Sequence, residues 1–298
     1  MGPLCLRNPL IAASGTFGYG WELSEFLDCE KLGGVVQKTV TLRPRKGNPP
    51  PRTCETASGM LNSIGLPNGG LEEYLRVELP FLSNLPTCRI ASIAGETADE
   101  FAQLAAAIDE QGGADALEVN VSCPNVKEGC LTFGADPSAT AEATSAVRGA
   151  TSLPIIVKLT PNVSDIGEVA RAAADAGANI LSAVNTFLGL AVDWTCGRPV
   201  LGNGTGGLSG PAIKPLALQK VREVVEAVDI PVVGLGGITS GRDALEFLTV
   251  GAAAVQAGTA SLVEPTALLR ILDEMSAELA RWGFSSVSAV IGTLEMPG

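Results

Sequence analysis

The 298-residue chain contains no histidine. That removes histidine-based triads, histidine metal sites and imidazole acid/base chemistry together, and leaves proton transfer to Cys, Lys, Asp, Glu or Tyr. Charged residues make up 17% of the chain, against about 25% in an average soluble domain. Aromatics are scarcer still, at 4%, so a core must be built from Ala, Val, Ile and Leu, as in parallel sheets covered by helices. No uninterrupted apolar stretch approaches the roughly 20 residues of a membrane helix, and no membrane association is expected. The start, Met1-Gly2-Pro3-Leu4-Cys5-Leu6, has no basic run ahead of an apolar segment and no Ser or Thr at position 6, so it reads as neither a secretory leader nor a myristoylation signal. The seven cysteines are odd in number and include no C-x-x-C. Neither a disulfide framework nor a metal or iron–sulfur site in this chain is indicated, and reduced thiols in a cytoplasmic protein fit better.

What the sequence does hold is 46% hydrophobic residues, 35 glycines and a net charge of −12. The negative charge repels phosphate backbones at long range, which argues against nucleic-acid binding and requires that any phosphate ligand be held locally. The length allows two domains, but α/β barrels often use 200 to 250 residues as one, so a single domain over 1–298 is expected.

Eight short apolar runs, each closing on a small or polar residue, predict strands: Leu10 to Ala13, Val35 to Lys38, Arg89 to Ile93, Ala116 to Asn120, Ile155 to Leu159, Ile180 to Asn185, Pro231 to Gly234 and Ala254 to Ala257. Helical periodicity lies between them, at Thr97 to Gln111, Asp136 to Arg148, Ser164 to Ala176, Lys214 to Val228 and Ser240 to Val250, with Glu264 to Trp282 last. Alternating β and α units require a parallel sheet, and eight of them predict a (β/α)₈ TIM barrel, with an open doubly wound sheet as the rival. The segments Thr39 to Leu71 and Thr186 to Gly210 are too long for ordinary connections and read as binding loops at the strand C-termini.

Strand ends carry the candidate chemistry. Asn120 closes the fourth predicted strand, and Cys123 and Asn125 follow it; Cys123 is either a base or nucleophile at the barrel mouth or inert packing. Asn62 and Asn185 add two carboxamides, each a turn former or a ligand contact; four at loop positions suit a planar ligand rich in donors and acceptors. Lys38 and Lys158 end apolar strands, where a lysine either snorkels to water or meets an anionic ligand. Gly236-Gly237 and Gly258-Thr259 follow the last two strands, the place where barrels commonly bind phosphate through backbone N–H groups; tight turns are the alternative.

Ala13-Ser14-Gly15-Thr16-Phe17-Gly18, Lys38-Thr39 with Arg43-Pro44-Arg45-Lys46-Gly47-Asn48-Pro49, Asn62 to Leu66, Asn120 to Val126, Val184-Asn185-Thr186, Gly206 to Pro211, Gly236-Gly237 and Gly258-Thr259 fall in one order and spacing. Over nearly the whole chain they resemble the dihydroorotate dehydrogenases of pyrimidine synthesis. The resemblance implies a barrel with one FMN, oxidation of dihydroorotate to orotate by loss of a proton and a hydride, and Cys123 as the base. Cys at this position resembles class 1, since class 2 members use Ser and carry an N-terminal membrane segment. Val126 to Gly134 resembles the B-type, which implies a homodimer core of a heterotetramer, electrons leaving through a partner subunit with FAD and a [2Fe–2S] cluster, and NAD as acceptor. An A-type, fumarate-linked enzyme is the alternative, and a flavin-free lyase or isomerase of a sugar phosphate a more distant one. By the same resemblance Lys38 faces substrate and flavin. Asn62, Ser63, Ile64, Gly65, Leu66, Asn120, Asn125, Asn185 and Thr186 hold the substrate, and Ser14, Thr39, Ser92, Asn120, Lys158, Val184, Gly210, Gly236, Gly237, Gly258 and Thr259 hold the cofactor. Ser92 stands where the family usually has Asn, and a short strand that usually precedes Leu6 is missing, as if the start were trimmed.

Overall fold

The computed structural model describes residues 1–23, 25–121 and 130–297. Its strands are β1 (Leu10–Ala12), β2 (Gly34–Val36), β3 (Thr53–Thr56), β4 (Gly59–Asn62), β5 (Cys88–Ile93), β6 (Ala116–Asn120) and β7 (Ile155–Leu159), then β8 (Ile180–Ala183), β9 (Phe187–Gly189), β10 (Val192–Asp193), β11 (Arg198–Pro199), β12 (Gly206–Ser209), β13 (Val232–Leu235) and β14 (Ala254–Ala257). Eight of them close a barrel in the order β1-β14-β13-β8-β7-β6-β5-β2, with every neighbouring pair parallel. These are the eight apolar runs of the sequence, and the closed order excludes the open doubly wound sheet.

The strand period of two sorts each strand into two faces. Outward residues such as Val35, Ala91, Leu117, Val157, Leu181 and Val255 are buried against the surrounding helices in one large cluster. Inward residues form a separate plug across the barrel base, from Ile11, Val36, Ile90, Ala116, Ile156, Ile180, Val233 and Ala254. Two residues further along the same strands the interior turns polar: Ser92, Glu118, Lys158, Ser182 and Gln256 are all buried. An apolar base under a polar upper layer directs chemistry to the C-terminal mouth.

The helices are α1 (Leu71–Glu73), α2 (Leu79–Ser83), α3 (Ala98–Gln111), α4 (Cys130–Ala135), α5 (Pro137–Ala150), α6 (Ile166–Asp175), α7 (Lys214–Ala227), α8 (Gly241–Thr249), α9 (Thr259–Val263) and α10 (Ala267–Arg281); a π-helical stretch at Tyr74–Glu78 joins the first two. Thr97, Asp136, Asp165 and Ser240 cap α3, α5, α6 and α8 by accepting from backbone N–H groups of the first turn, which fixes each entry point. The last helix begins later than the periodicity predicts. Glu264 precedes Pro265, which disfavours helical backbone, and Glu264 is extended (φ −137°, ψ 107°) between α9 and α10. Among the described residues no helix is long and apolar enough to cross a membrane.

The two long loops are not irregular. Parts of both pair into one antiparallel sheet in the order β3-β4-β12-β9, with Gly207 opposite Asn62 on one side and Leu188 on the other. A Cβ on Gly207 would collide with the Thr186 hydroxyl, so glycine lets β12 pass close over the loop after β8.

Candidate active site

A cavity of about 320 Å³ opens at the barrel mouth, within the roughly 300–1,000 Å³ of small-molecule sites. Barrel strand ends form its floor and walls, and the four-stranded sheet supplies Thr53, Met60, Asn62 and Ser209 from one side. Of the residues singled out in the sequence, Ser14, Lys38, Thr39, Asn62, Ile64, Gly65, Leu66, Asn120, Lys158, Val184, Asn185, Thr186, Gly236, Gly237, Gly258 and Thr259 line it. Three do not. Ser63 is fully buried, one residue past β4. Ser92 is also fully buried, and its hydroxyl meets Thr39 Oγ1 at 2.9 Å, behind a Thr39–Ser14 contact of 3.2 Å. Gly210 lies behind Gly237, where its carbonyl oxygen would be 2.9 Å from an added Cβ. Cys123 and Asn125 lie outside the described residues.

Two lysines line the cavity and, among the described residues, no carboxylate does. In a chain of net charge −12 that is a local reversal of sign, and it selects for an anionic ligand. Lys158 is only 5% exposed, with the wholly buried Glu118 as counter-ion at 3.6 Å. Sequence reading missed this arrangement: it offered solvent or ligand as the partners of Lys158, and the partner is a carboxylate on the adjacent strand. The signal was the inward register, which puts Glu118 one step below Asn120.

Gln256 was also missed. Its Nε2 donates to Glu118 Oε2 at 2.9 Å. Because an ionised carboxylate only accepts, this contact fixes the carboxamide orientation and turns Oε1 away from Glu118. That oxygen is buried without a hydrogen-bond partner among the described residues, and Gln256 lines the cavity, so a ligand N–H fits there. At the opposite wall, Gly236 (φ +129°) and Gly237 (φ +79°) take conformations that suit glycine. A Cβ on Gly237 would sit 2.8 Å from the Lys214 backbone nitrogen, so α7, the turn before it and the β13 end converge with room for main chain alone. Thr259 Oγ1 donates to Ser209 Oγ at 2.9 Å and ties the last strand's loop to β12. Asn162, behind the cavity, donates to the Thr186 carbonyl oxygen at 3.0 Å and accepts from the Leu188 N–H at 2.9 Å, which sets the Thr186 loop. Elsewhere, burial followed by the Asp28 charge pushes the Cys29 thiol up to about 11, and burial followed by the Asp115 charge pushes Cys88 up to about 12; neither suits thiolate chemistry.

A donor-rich cleft with two cations, a free buried acceptor and a glycine-walled end defines a (β/α)₈-barrel enzyme that acts at the C-terminal mouth on an anionic, hydrogen-bonding ligand. The chain belongs to the dihydroorotate dehydrogenase family, a family of oxidoreductases: the family model described as dihydroorotate dehydrogenase matches residues 3–279. It is 51% identical over 291 residues to a protein of Geobacter sp. (strain M21), covering 98% of this chain and 95% of that one. It is 52% identical over 295 residues to a protein of Trichlorobacter lovleyi, covering 99% and 97%, and 51% identical over 296 residues to a protein of Desulforamulus reducens, again covering 99% and 97%. All three are named dihydroorotate dehydrogenase B (NAD(+)), catalytic subunit.

Proposed function

We propose that this chain is the catalytic subunit of a B-type dihydroorotate dehydrogenase, one FMN-binding barrel that oxidises dihydroorotate to orotate in pyrimidine synthesis in the cytoplasm. The observation that carries the reading is the cavity with two lysines, no described carboxylate and a wall of backbone, together with the free acceptor of Gln256. FMN fits that set, with a phosphate for the glycine wall and a ring system bearing both N–H and carbonyl edges. When bound, it supplies a two-electron acceptor for hydride. Lys158, which lines the cavity, would supply positive charge to stabilise the anion of the reduced cofactor. Lys38, half-buried two residues beyond β2 and lining the cavity, would meet cofactor and substrate together. Asn62, Asn120 and Asn185 orient the substrate ring and its carboxylate, with Asn125 completing the set. Cys123 accepts the proton from the substrate carbon next to the ring carbonyl; it follows Asn120 by three residues, and with histidine absent the thiolate is the base.

The relatives' shared name, a catalytic subunit linked to NAD(+), supports an electron-transfer partner. We assign FAD and a [2Fe–2S] cluster to that partner, on a homodimer of this chain within a heterotetramer. The test is to purify the chain alone and with its co-purifying partner, and to mix each anaerobically with dihydroorotate. Flavin bleaching in both, with NADH formed only by the complex, is the expected result. A colourless protein, or one whose flavin dihydroorotate leaves oxidised, would overturn the reading.

A further inference from the structure

Four polar side chains meet at the cavity floor, Lys158 on β7 and Gln256 on β14 lining it and Glu118 on β6 and Ser182 on β8 outside the lining, all 5% exposed or less. Glu118 Oε2 accepts from Gln256 Nε2 at 2.9 Å and from Ser182 Oγ at 3.3 Å. The other oxygen, Oε1, accepts no hydrogen bond among the described residues and lies 3.6 Å from Lys158 Nζ. One oxygen is therefore anchored by two donors, and the other faces the ammonium at a separation longer than a hydrogen bond. The carboxylate neutralises Lys158 without occupying its donors, and Lys158 is the member of the pair that reaches the cavity lining.

We propose that Glu118 is a positioning residue that sets the reduction potential of the bound flavin through Lys158; the inference rests on the FMN reading above. A lysine alone in this place would hold electrons on the cofactor, since its full charge would act in a poorly screened interior. A carboxylate 3.6 Å behind it lowers the effective charge, so the reduced cofactor gives its electrons up more readily to the next carrier. Gln256 and Ser182 set how much of the carboxylate's charge is felt, because each donor they direct at Oε2 draws charge away from the ammonium.

The test is the two-electron midpoint potential of the purified holoprotein, measured against a reference dye, with flavin content as control. Glu118→Gln keeps the shape and removes the charge, and should raise the potential by about 30 mV, equivalent to a tenfold change in the ratio of reduced to oxidised cofactor. Glu118→Asp, which keeps the charge, should stay nearer the wild type. In a Lys158→Met background the Glu118→Gln shift should shrink, since the carboxylate acts through the ammonium. Ser182→Ala removes one donor from the carboxylate and should move the potential the other way; it decides the matter if Glu118→Gln does not accumulate as folded holoprotein. A flavin-loaded Glu118→Gln protein with a ratio within twofold of the wild type, or an undiminished shift in the Lys158→Met background, would overturn the inference and leave the FMN reading standing. A wild-type protein that binds no flavin would overturn both.

Discussion

On the proposed reading, Cys123 and Lys158 would divide the two halves of the reaction, proton and hydride, between two side chains. A general base typically contributes about 10²–10⁴-fold, so Cys123→Ser should retain flavin and lose dihydroorotate oxidation by roughly that factor at neutral pH, while Cys130→Ser stays mild. In the wild type the rate should rise with pH as the thiolate forms; wild-type turnover by Cys123→Ser would remove the thiol from the mechanism. Lys158→Ala should weaken flavin retention and slow flavin reduction together, because one charge serves binding and the developing anion. It also leaves Glu118, wholly buried, without its cation, and an unpaired buried charge is costly. A variant with unchanged flavin content and reduction rate would return Lys158 to a packing role. At this scale the sequence exposed the lysine but hid its partner: a strand-end cation stands out among Ile155, Ile156 and Val157, whereas Glu118 becomes visible only once β6 and β7 lie side by side with Asn120 opposite Lys158.

Helix termini and loop sheets can be perturbed separately from the site. Burial alone would push the Asp243 carboxyl up, but the Lys214 ammonium, with the N–H and hydroxyl donors of Thr239 and Ser240, more than reverses this and holds it below the ordinary carboxylate range. A depressed carboxylate stabilises the fold above its unfolded pKa of about 3.9, and the contribution disappears as pH falls through the lower folded value. Asp243→Asn, at the N3 position of the α8 capping box, should therefore cost about 1 kcal/mol at pH 7 through weakened hydrogen bonds and flatten the loss of stability below about pH 4. Urea melts that differ by a constant amount across that range would rule this out. For the sheet over the cavity, Gly207→Ala should raise the KM for dihydroorotate with little change in Tm, since its Cβ meets Thr186 outside the barrel ladder; an unchanged KM would show that β12 does not shape the substrate side. The eight barrel strands were legible because burial on both faces writes continuous apolar runs. The four-stranded sheet was not, because its glycine-rich strands lack a two-residue alternation and pair across 145 residues, as Asn62 Nδ2 does with the Gly207 carbonyl oxygen at 3.3 Å.

For the whole molecule, the fold bears on where electrons would enter, and the sequence on how they would leave. On the proposed reading hydride would be delivered in a cavity whose floor lies above the apolar plug of Ile11, Val36, Ile90, Ile156, Ile180 and Val233; that plug puts no polar side chain at the barrel base among the described residues, so the mouth would serve both substrate and exit. The seven cysteines contain no C-x-x-C that would build an iron–sulfur relay within this chain. On the inference above, the Lys158–Glu118 pair would tune the cofactor in place and carry no electrons. NAD⁺ reduction would then depend on a carrier that docks from outside. The pure chain should accordingly reduce artificial dyes with dihydroorotate while leaving NAD⁺ unreduced, and should gain NAD⁺ activity when the partner is added back at stoichiometric concentration. Efficient NAD⁺ reduction by the partner-free chain would show that hydride passes directly from this site, and efficient fumarate reduction would move the enzyme to the A-type, in which one cavity serves both half-reactions.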